Sequence, residues 1–83
     1  MTEQQLLELF TRTLCDLLGD DDIVLTMTTN RADVPRWDSF NYINFIVIIE
    51  TELKIRFKIA DVESFADVGA IVRCAAALQS QEK

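Results

Sequence analysis

Histidine is absent from this 83-residue chain, and proline (1), glycine (2) and cysteine (2) are scarce. Each shortage closes off a class of chemistry or fold. Without histidine, no serine here can work as the nucleophile of the common Ser–His arrangement, because a neutral hydroxyl needs an adjacent base to take its proton. The usual zinc spacings are excluded as well, since Cys15 and Cys74 stand far apart and have no histidine to complete a ligand set. So little proline and glycine leaves long uninterrupted segments, which favours a compact helical bundle. Basic residues are also outnumbered: eight against fourteen acids give a formal charge of −6. That charge repels a phosphate backbone and argues against nucleic-acid binding, while basic protein partners are its natural complement. It also keeps a small domain soluble.

Membrane insertion and secretion find no support either. No apolar run approaches the about 20 residues needed to cross a bilayer. Thr2 to Gln5 supply no basic leader, and the apolar residues that follow are interrupted by Glu8 and Arg12. A cytoplasmic chain is therefore expected, monomeric, with both cysteines reduced and acting as small hydrophobes. At 83 residues and 49% hydrophobic content, the chain is too short for two domains and too apolar for a disordered tail. Residues 1–83 read as one domain.

Periodicity supplies the elements. From Thr2 to Leu18, apolar residues Leu6, Phe10, Leu14 and Leu17 recur every three to four positions, with Thr2 and Gln5 as a capping box and Gly19 as the stop. Asp20 to Trp37 shows no sustained period and reads as a long ordered loop. Loops of that length need anchors in a compact domain, and Ile23, Leu25, Val34 and Trp37 are the candidates. The acidic run Asp20 to Asp22 lacks the spacing of a calcium loop and reads as solvated. A second helix spans Ser39 to about Leu53. Lys54 to Ile59 alternates polar and apolar residues but has no partner strand, so it reads as an extended connector with Ile55 and Phe57 pointing inward. Ile59 to Ser64 fits a short third helix. Asp67 caps a fourth, in which Val68, Ile71, Val72, Ala75 and Leu78 keep helical spacing, and Gln79 to Lys83 are expected to fray. The fold class is thus all-α: a four-helix bundle of three longer helices and one short one, with a long loop between helices one and two.

The second helix has more apolar surface than one core stripe requires. At 100° per residue, Tyr42, Phe45, Ile46, Ile49 and Leu53 share one arc and Phe40, Ile43 and Val47 another. The first arc is assigned to the core and the second to a docking surface, unless the long loop or the third helix covers it. Just before these arcs lie Asp38 and Ser39. Either could cap the helix by accepting a bond from a first-turn N–H, and on that reading Ser39→Ala costs about 1 kcal/mol. A serine at this point is also exposed beside the positive end of the helix dipole, where a covalently attached anion is well placed.

The stretch from Asp33 through Trp37-Asp38-Ser39-Phe40 to Ile46 resembles the attachment region of acyl carrier proteins, whose motif is Asp-Ser-Leu at the start of the second helix. Ile49 to Phe57, Ile59 to Phe65 and Val68-Gly69 continue the resemblance over nearly the whole chain. The resemblance implies the same helical arrangement and no catalytic activity of the chain's own. It makes Ser39 the attachment point of 4′-phosphopantetheine, with Asp38 beside it. A phosphopantetheinyl transferase would supply the arm from coenzyme A, and the arm would hold an acyl group as a thioester for acyl-loading and acyl-transferring enzymes. Fatty-acid, polyketide or other specialised acyl-transfer pathways are the expected settings. Phe40, Ile43, Val47, Glu50, Asp61 and Glu63 would form the docking surface.

Several positions depart from the family pattern. Acids commonly stand two and five positions after the serine, where this chain has Asn41 and Asn44, which points to a dedicated partner set. Lys54 replaces the glycine that often ends the second helix. If that residue is left-handed, Lys54→Gly should be neutral or slightly stabilising. Peptidyl carriers usually have a glycine-rich lead-in and a histidine before the serine, so Asp38 favours an acyl carrier. Two alternatives stay open: an aminoacyl carrier of the D-alanine type, and a non-enzymatic helical adaptor in which Ser39 is only a cap.

Overall fold

The computed structural model describes residues 1–81. Its element order is α1 (Glu3–Leu18), a single 3-10 turn (Arg31–Asp33), α2 (Ser39–Leu53), α3 (Ile59–Ser64) and α4 (Val68–Gln81). The expected helices are present at nearly the expected bounds. The 3-10 turn was not foreseen: three residues are too few to show a period. Gln79 to Gln81 belong to α4 rather than fraying, and Glu82 and Lys83 lie outside the described residues.

Local chemistry explains the helix ends. Thr2 Oγ1 accepts from the Gln5 N–H at 3.1 Å and Gln5 Oε1 accepts from the Thr2 N–H at 2.9 Å, so two otherwise unpaired donors are satisfied reciprocally. Gly19 ends α1 in the left-handed conformation, φ 66°. Lys54 does the same for α2 with φ 57° and ψ 45°, despite carrying a Cβ that is disfavoured there. Asp67 Oδ1 accepts from the Ala70 N–H at 2.9 Å and so caps α4.

α1 packs against both α2 and α4. Leu6, Phe10 and Leu14 of α1 are completely buried, as are Phe45 and Ile49 of α2 and Val72 and Ala75 of α4. Each large member contributes about 1.5–3 kcal/mol relative to leaving it in water. Aromatic edges organise the centre: Phe10 meets Phe45 at 5.5 Å between ring centroids and Trp37 meets Phe45 at 5.3 Å, both edge to face. Through Trp37 the loop before α2 is thus built into the core.

The other anchors of that loop behave as expected, with Leu25 and Val34 buried and Ile23 half-buried. Backbone bonds add a second attachment. The Val68 N–H donates to Thr29 O at 2.7 Å and the Gly69 N–H to Met27 O at 2.8 Å, so the loop's carbonyls satisfy first-turn donors of α4. Glycine is required at 69 because a Cβ there would run into the Met27 carbonyl oxygen. In the connector, Ile55 and Phe57 are buried while Lys54, Arg56 and Lys58 are exposed. No strand forms among the described residues, and the Phe57 N–H donates instead to Glu50 Oε2 at 2.8 Å.

Candidate attachment site at the start of helix α2

The chain enters α2 through Arg36, whose φ of 70° is unusual for a residue with a side chain. Two bonds hold this entry. Asn41 Nδ2 donates to the Arg36 carbonyl at 2.9 Å, and Asp38 Oδ1 accepts from the Asn41 N–H at 2.9 Å. Asp38, extended at φ −84° and ψ −175°, is therefore the N-cap and Ser39 the first helical residue.

This corrects the reading of Ser39 as a possible cap. Its hydroxyl is exposed and does not bond the first turn; its contact is with Arg31, whose Nη1 lies 3.5 Å from Ser39 Oγ. Arg31 in turn lies over the Tyr42 ring, 4.8 Å from guanidinium carbon to ring centroid, in cation–π geometry. Tyr42 is fixed from the other end, where its hydroxyl donates to Val62 O at 2.6 Å and ties α2 to α3. Burial pushes the Tyr42 phenol above its ordinary value, and the Arg31 charge pulls it partly back. Ser39 thus sits between unpaired N–H groups of a helix start and a cation held on an aromatic ring.

Beside it opens a cleft of about 470 Å³, lined by Arg31, Ser39, Tyr42, Ile43, Phe65 and Asp67 among others. Trp37 also lines it, and its Nε1, buried, has no hydrogen-bond partner among the described residues.

The two arcs of α2 separate as expected. Phe45, Ile46 and Ile49 are buried and Tyr42 and Leu53 half-buried, whereas Phe40, Ile43 and Val47 keep 74%, 51% and 52% of their surface exposed. Neither the long loop nor α3 covers this second arc. Ile59, at the start of α3, is 78% exposed and was not singled out from sequence, because a single residue of a six-residue helix carries no periodic signal. The acids are less uniform: Glu63 is exposed, Asp61 is half-buried, and Glu50 is half-buried with its carboxylate turned to the Phe57 N–H. Cys15 and Cys74 are free thiols, both half-buried, and burial with the Asp61 charge behind it raises the Cys74 thiol above its ordinary value. Among the described residues no cluster of three potential metal ligands occurs, and no helix is long and apolar enough to cross a membrane.

The arrangement matches a solved protein. The solution NMR structure of a holo acyl carrier protein from Geobacter metallireducens is similar with a TM-score of 0.84 and 29% identity, over 92% of this chain and 87% of that one. The likeness to the acyl carrier proteins is shown. It extends to the all-helical bundle and groups this chain with carrier proteins, not with catalysts. No protein-family model and no curated protein matches the sequence.

Proposed function

We propose that the chain carries an acyl group as a thioester on a 4′-phosphopantetheine arm attached through Ser39 Oγ. The single observation that supports this most is the division of labour at the start of α2: Asp38 caps the helix, leaving the adjacent hydroxyl exposed and free of structural work. The residues present fit the group. An exposed nucleophile faces solvent, the arm's phosphodiester would stand at the positive end of α2, and the open cleft beside Ser39 gives the arm room.

With no histidine in the chain, activation of the hydroxyl falls to a phosphopantetheinyl transferase. Ser39 Oγ would bond to the phosphorus next to the pantetheine moiety of coenzyme A. The bridging phosphorus–oxygen bond breaks, the adenosine bisphosphate leaves, and the serine proton passes to the transferase. Once attached, the arm supplies a thiol that holds the acyl group. This chain's contribution is address and tether, which raise the effective concentration of that group at each docked enzyme.

For the docked enzymes we propose the exposed arc Phe40, Ile43 and Val47, with Glu63 and Asp61 at its acidic margin; Glu50, expected there from sequence, is withdrawn by its bond to the Phe57 N–H. The transferase and the acyl-loading and acyl-transferring enzymes must all approach this face to reach Ser39. Fatty-acid, polyketide or another specialised acyl-transfer pathway is the proposed setting, with the chain acting as a single monomeric domain in the cytoplasm. The adaptor alternative loses its premise that Ser39 is the cap. The test is intact mass after incubation with coenzyme A and a phosphopantetheinyl transferase. Wild type should gain the mass of one phosphopantetheine and Ser39→Ala none; an unmodified wild type would sink the proposal.

A further inference from the structure

An arginine beside the proposed attachment serine is out of keeping with a chain of net charge −6. Arg31 nevertheless stands 3.5 Å from Ser39 Oγ, reached across eight positions of sequence by the path of the loop. It is presented in a defined way. The 3-10 turn Arg31–Asp33 is closed by the Asp33 side chain, whose Oδ2 accepts from the Asn30 N–H at 3.0 Å, and the guanidinium rests on the Tyr42 ring, itself anchored to Val62 O. Among the described residues its contacts are a neutral hydroxyl and an aromatic face, neither of which cancels the charge. At 3.5 Å the bond to the hydroxyl is at the long limit and weak.

We infer that Arg31 is a phosphate clamp: it binds the anionic phosphodiester oxygens of the arm on Ser39 and so restrains the first part of the arm. This rests on the assignment of the arm to Ser39. A planar guanidinium matches two phosphate oxygens at once, which a lysine ammonium cannot do, and stacking on Tyr42 removes much of the freedom it would otherwise lose on binding. The free N–H groups at the start of α2 would act on the same anion. Arg36 carries the same charge nearby in sequence, but its backbone carbonyl is bound by Asn41 and no contact of its guanidinium to Ser39 is present.

The experiment loads the full chain with coenzyme A and excess transferase as wild type, Arg31→Ala, Arg31→Lys and Arg36→Ala, and reads intact mass first. If wild type gains no mass, the attachment reading fails and the clamp falls with it. Where mass is gained, phosphorus NMR reads the phosphodiester directly. The Arg31→Ala resonance should move from the wild-type position to that of an unrestrained seryl phosphodiester peptide. Arg31→Lys should retain part of the difference and Arg36→Ala all of it, and added salt should shift wild type toward Arg31→Ala. Arg31 is exposed, so its removal should lower the unfolding midpoint only by the few degrees that a surface cation–π contact is worth. Independently of any variant, the Arg31 Nε–H resonance should shift when wild type is loaded and stay put in Ser39→Ala treated alike. A loaded wild type in which the Arg31 Nε–H does not move overturns the clamp, as does a phosphorus resonance common to wild type and Arg31→Lys or Arg31→Ala. Equal effects of Arg31→Ala and Arg36→Ala would reduce it to a general field and overturn it too.

Discussion

Replacing Ser39 or its neighbour Asp38 by alanine should produce opposite pairs of effects. Asp38 Oδ1 accepts the Asn41 N–H at 2.9 Å and its charge lies at the positive end of α2. Loss of such a cap costs about 0.5–2 kcal/mol. In a domain of this size 1 kcal/mol moves the midpoint of thermal unfolding by about 4–8 °C, so Asp38→Ala should melt several degrees low. Ser39 Oγ has only the long contact to Arg31 and is exposed. Its removal should therefore stay within about 0.5 kcal/mol of wild type, the usual span for a surface change, in place of the 1 kcal/mol expected of a cap. Far-UV circular dichroism gives the two melting curves, and intact mass after treatment with transferase and coenzyme A gives the chemistry. Ser39→Ala should melt as wild type does and gain nothing. If it melts as low as Asp38→Ala, the hydroxyl does structural work that the geometry denies it. If it still gains the arm, the attachment residue is another one.

Other substitutions test the remaining parts. Ile46→Ala and Ile49→Ala should each cost about 2–5 kcal/mol by urea unfolding, because both side chains are buried, whereas exposed Ile43→Ala and Val47→Ala should hold their midpoints and slow modification at Ser39; wild-type modification rates in the latter pair would remove them from the docking surface. Lys54→Gly should be neutral or stabilising by up to about 1 kcal/mol, since the left-handed position penalises a Cβ; a clear drop in melting temperature would refute the strain. Gly69→Ala should cost about 1–3 kcal/mol, although alanine is ordinarily the better helix former, because its Cβ meets the Met27 carbonyl. Tyr42→Phe should cost about 1 kcal/mol through the lost bond to Val62 O. Burial raises the folded-state value of this phenol, so its contribution is intact below pH 10.0, the ordinary value, and is lost as pH rises through the folded-state value; Tyr42→Phe should accordingly flatten the alkaline fall in stability.

What sequence reasoning could reach was set by how local the cause is. The capping box at Thr2 and Gln5, the stop at Gly19 and the split of α2 into buried and exposed arcs all arise within a turn or two of chain, and all are visible in residue type and spacing, whereas the left-handed Lys54 was suggested only by the glycine that acyl carriers often have there. Asp38 and Ser39 mark the limit of that method. Both are good caps by type, and only the extended backbone at 38 decides that Asp38 takes the N–H while Ser39 enters the helix. The contact of Arg31 with Ser39 and the close approach of Met27 to Gly69 depend on how a loop without periodicity is routed. Its anchoring residues were recognisable as apolar, but the bonds that the Met27 and Thr29 carbonyls make with the start of α4 have no signature in sequence.

Of the two asparagines that replace the acids usual in acyl carriers, Asn41 acquires a physical reason from the entry to α2; nothing in the structure explains Asn44. Asn41 must donate a side-chain N–H to the Arg36 carbonyl while its backbone N–H goes to Asp38. An ionised aspartate or glutamate has no donor and would face that carbonyl with like polarity. An amide at 41 thus serves the positive-φ turn that delivers Ser39, and the acid is given up for it. Glu50 is likewise drawn into the fold by the Phe57 N–H, which leaves Glu52 as the exposed acid of α2. Charge that other carriers could present to partners is here spent on holding the helix ends and the connector. On the proposed function, partner recognition on α2 would lean on Phe40, Ile43 and Val47, which contribute contact area at short range, more than on long-range attraction, which salt screens beyond about 8 Å at physiological ionic strength. A surface of that kind would discriminate by shape, which is what the proposed dedicated partner set requires.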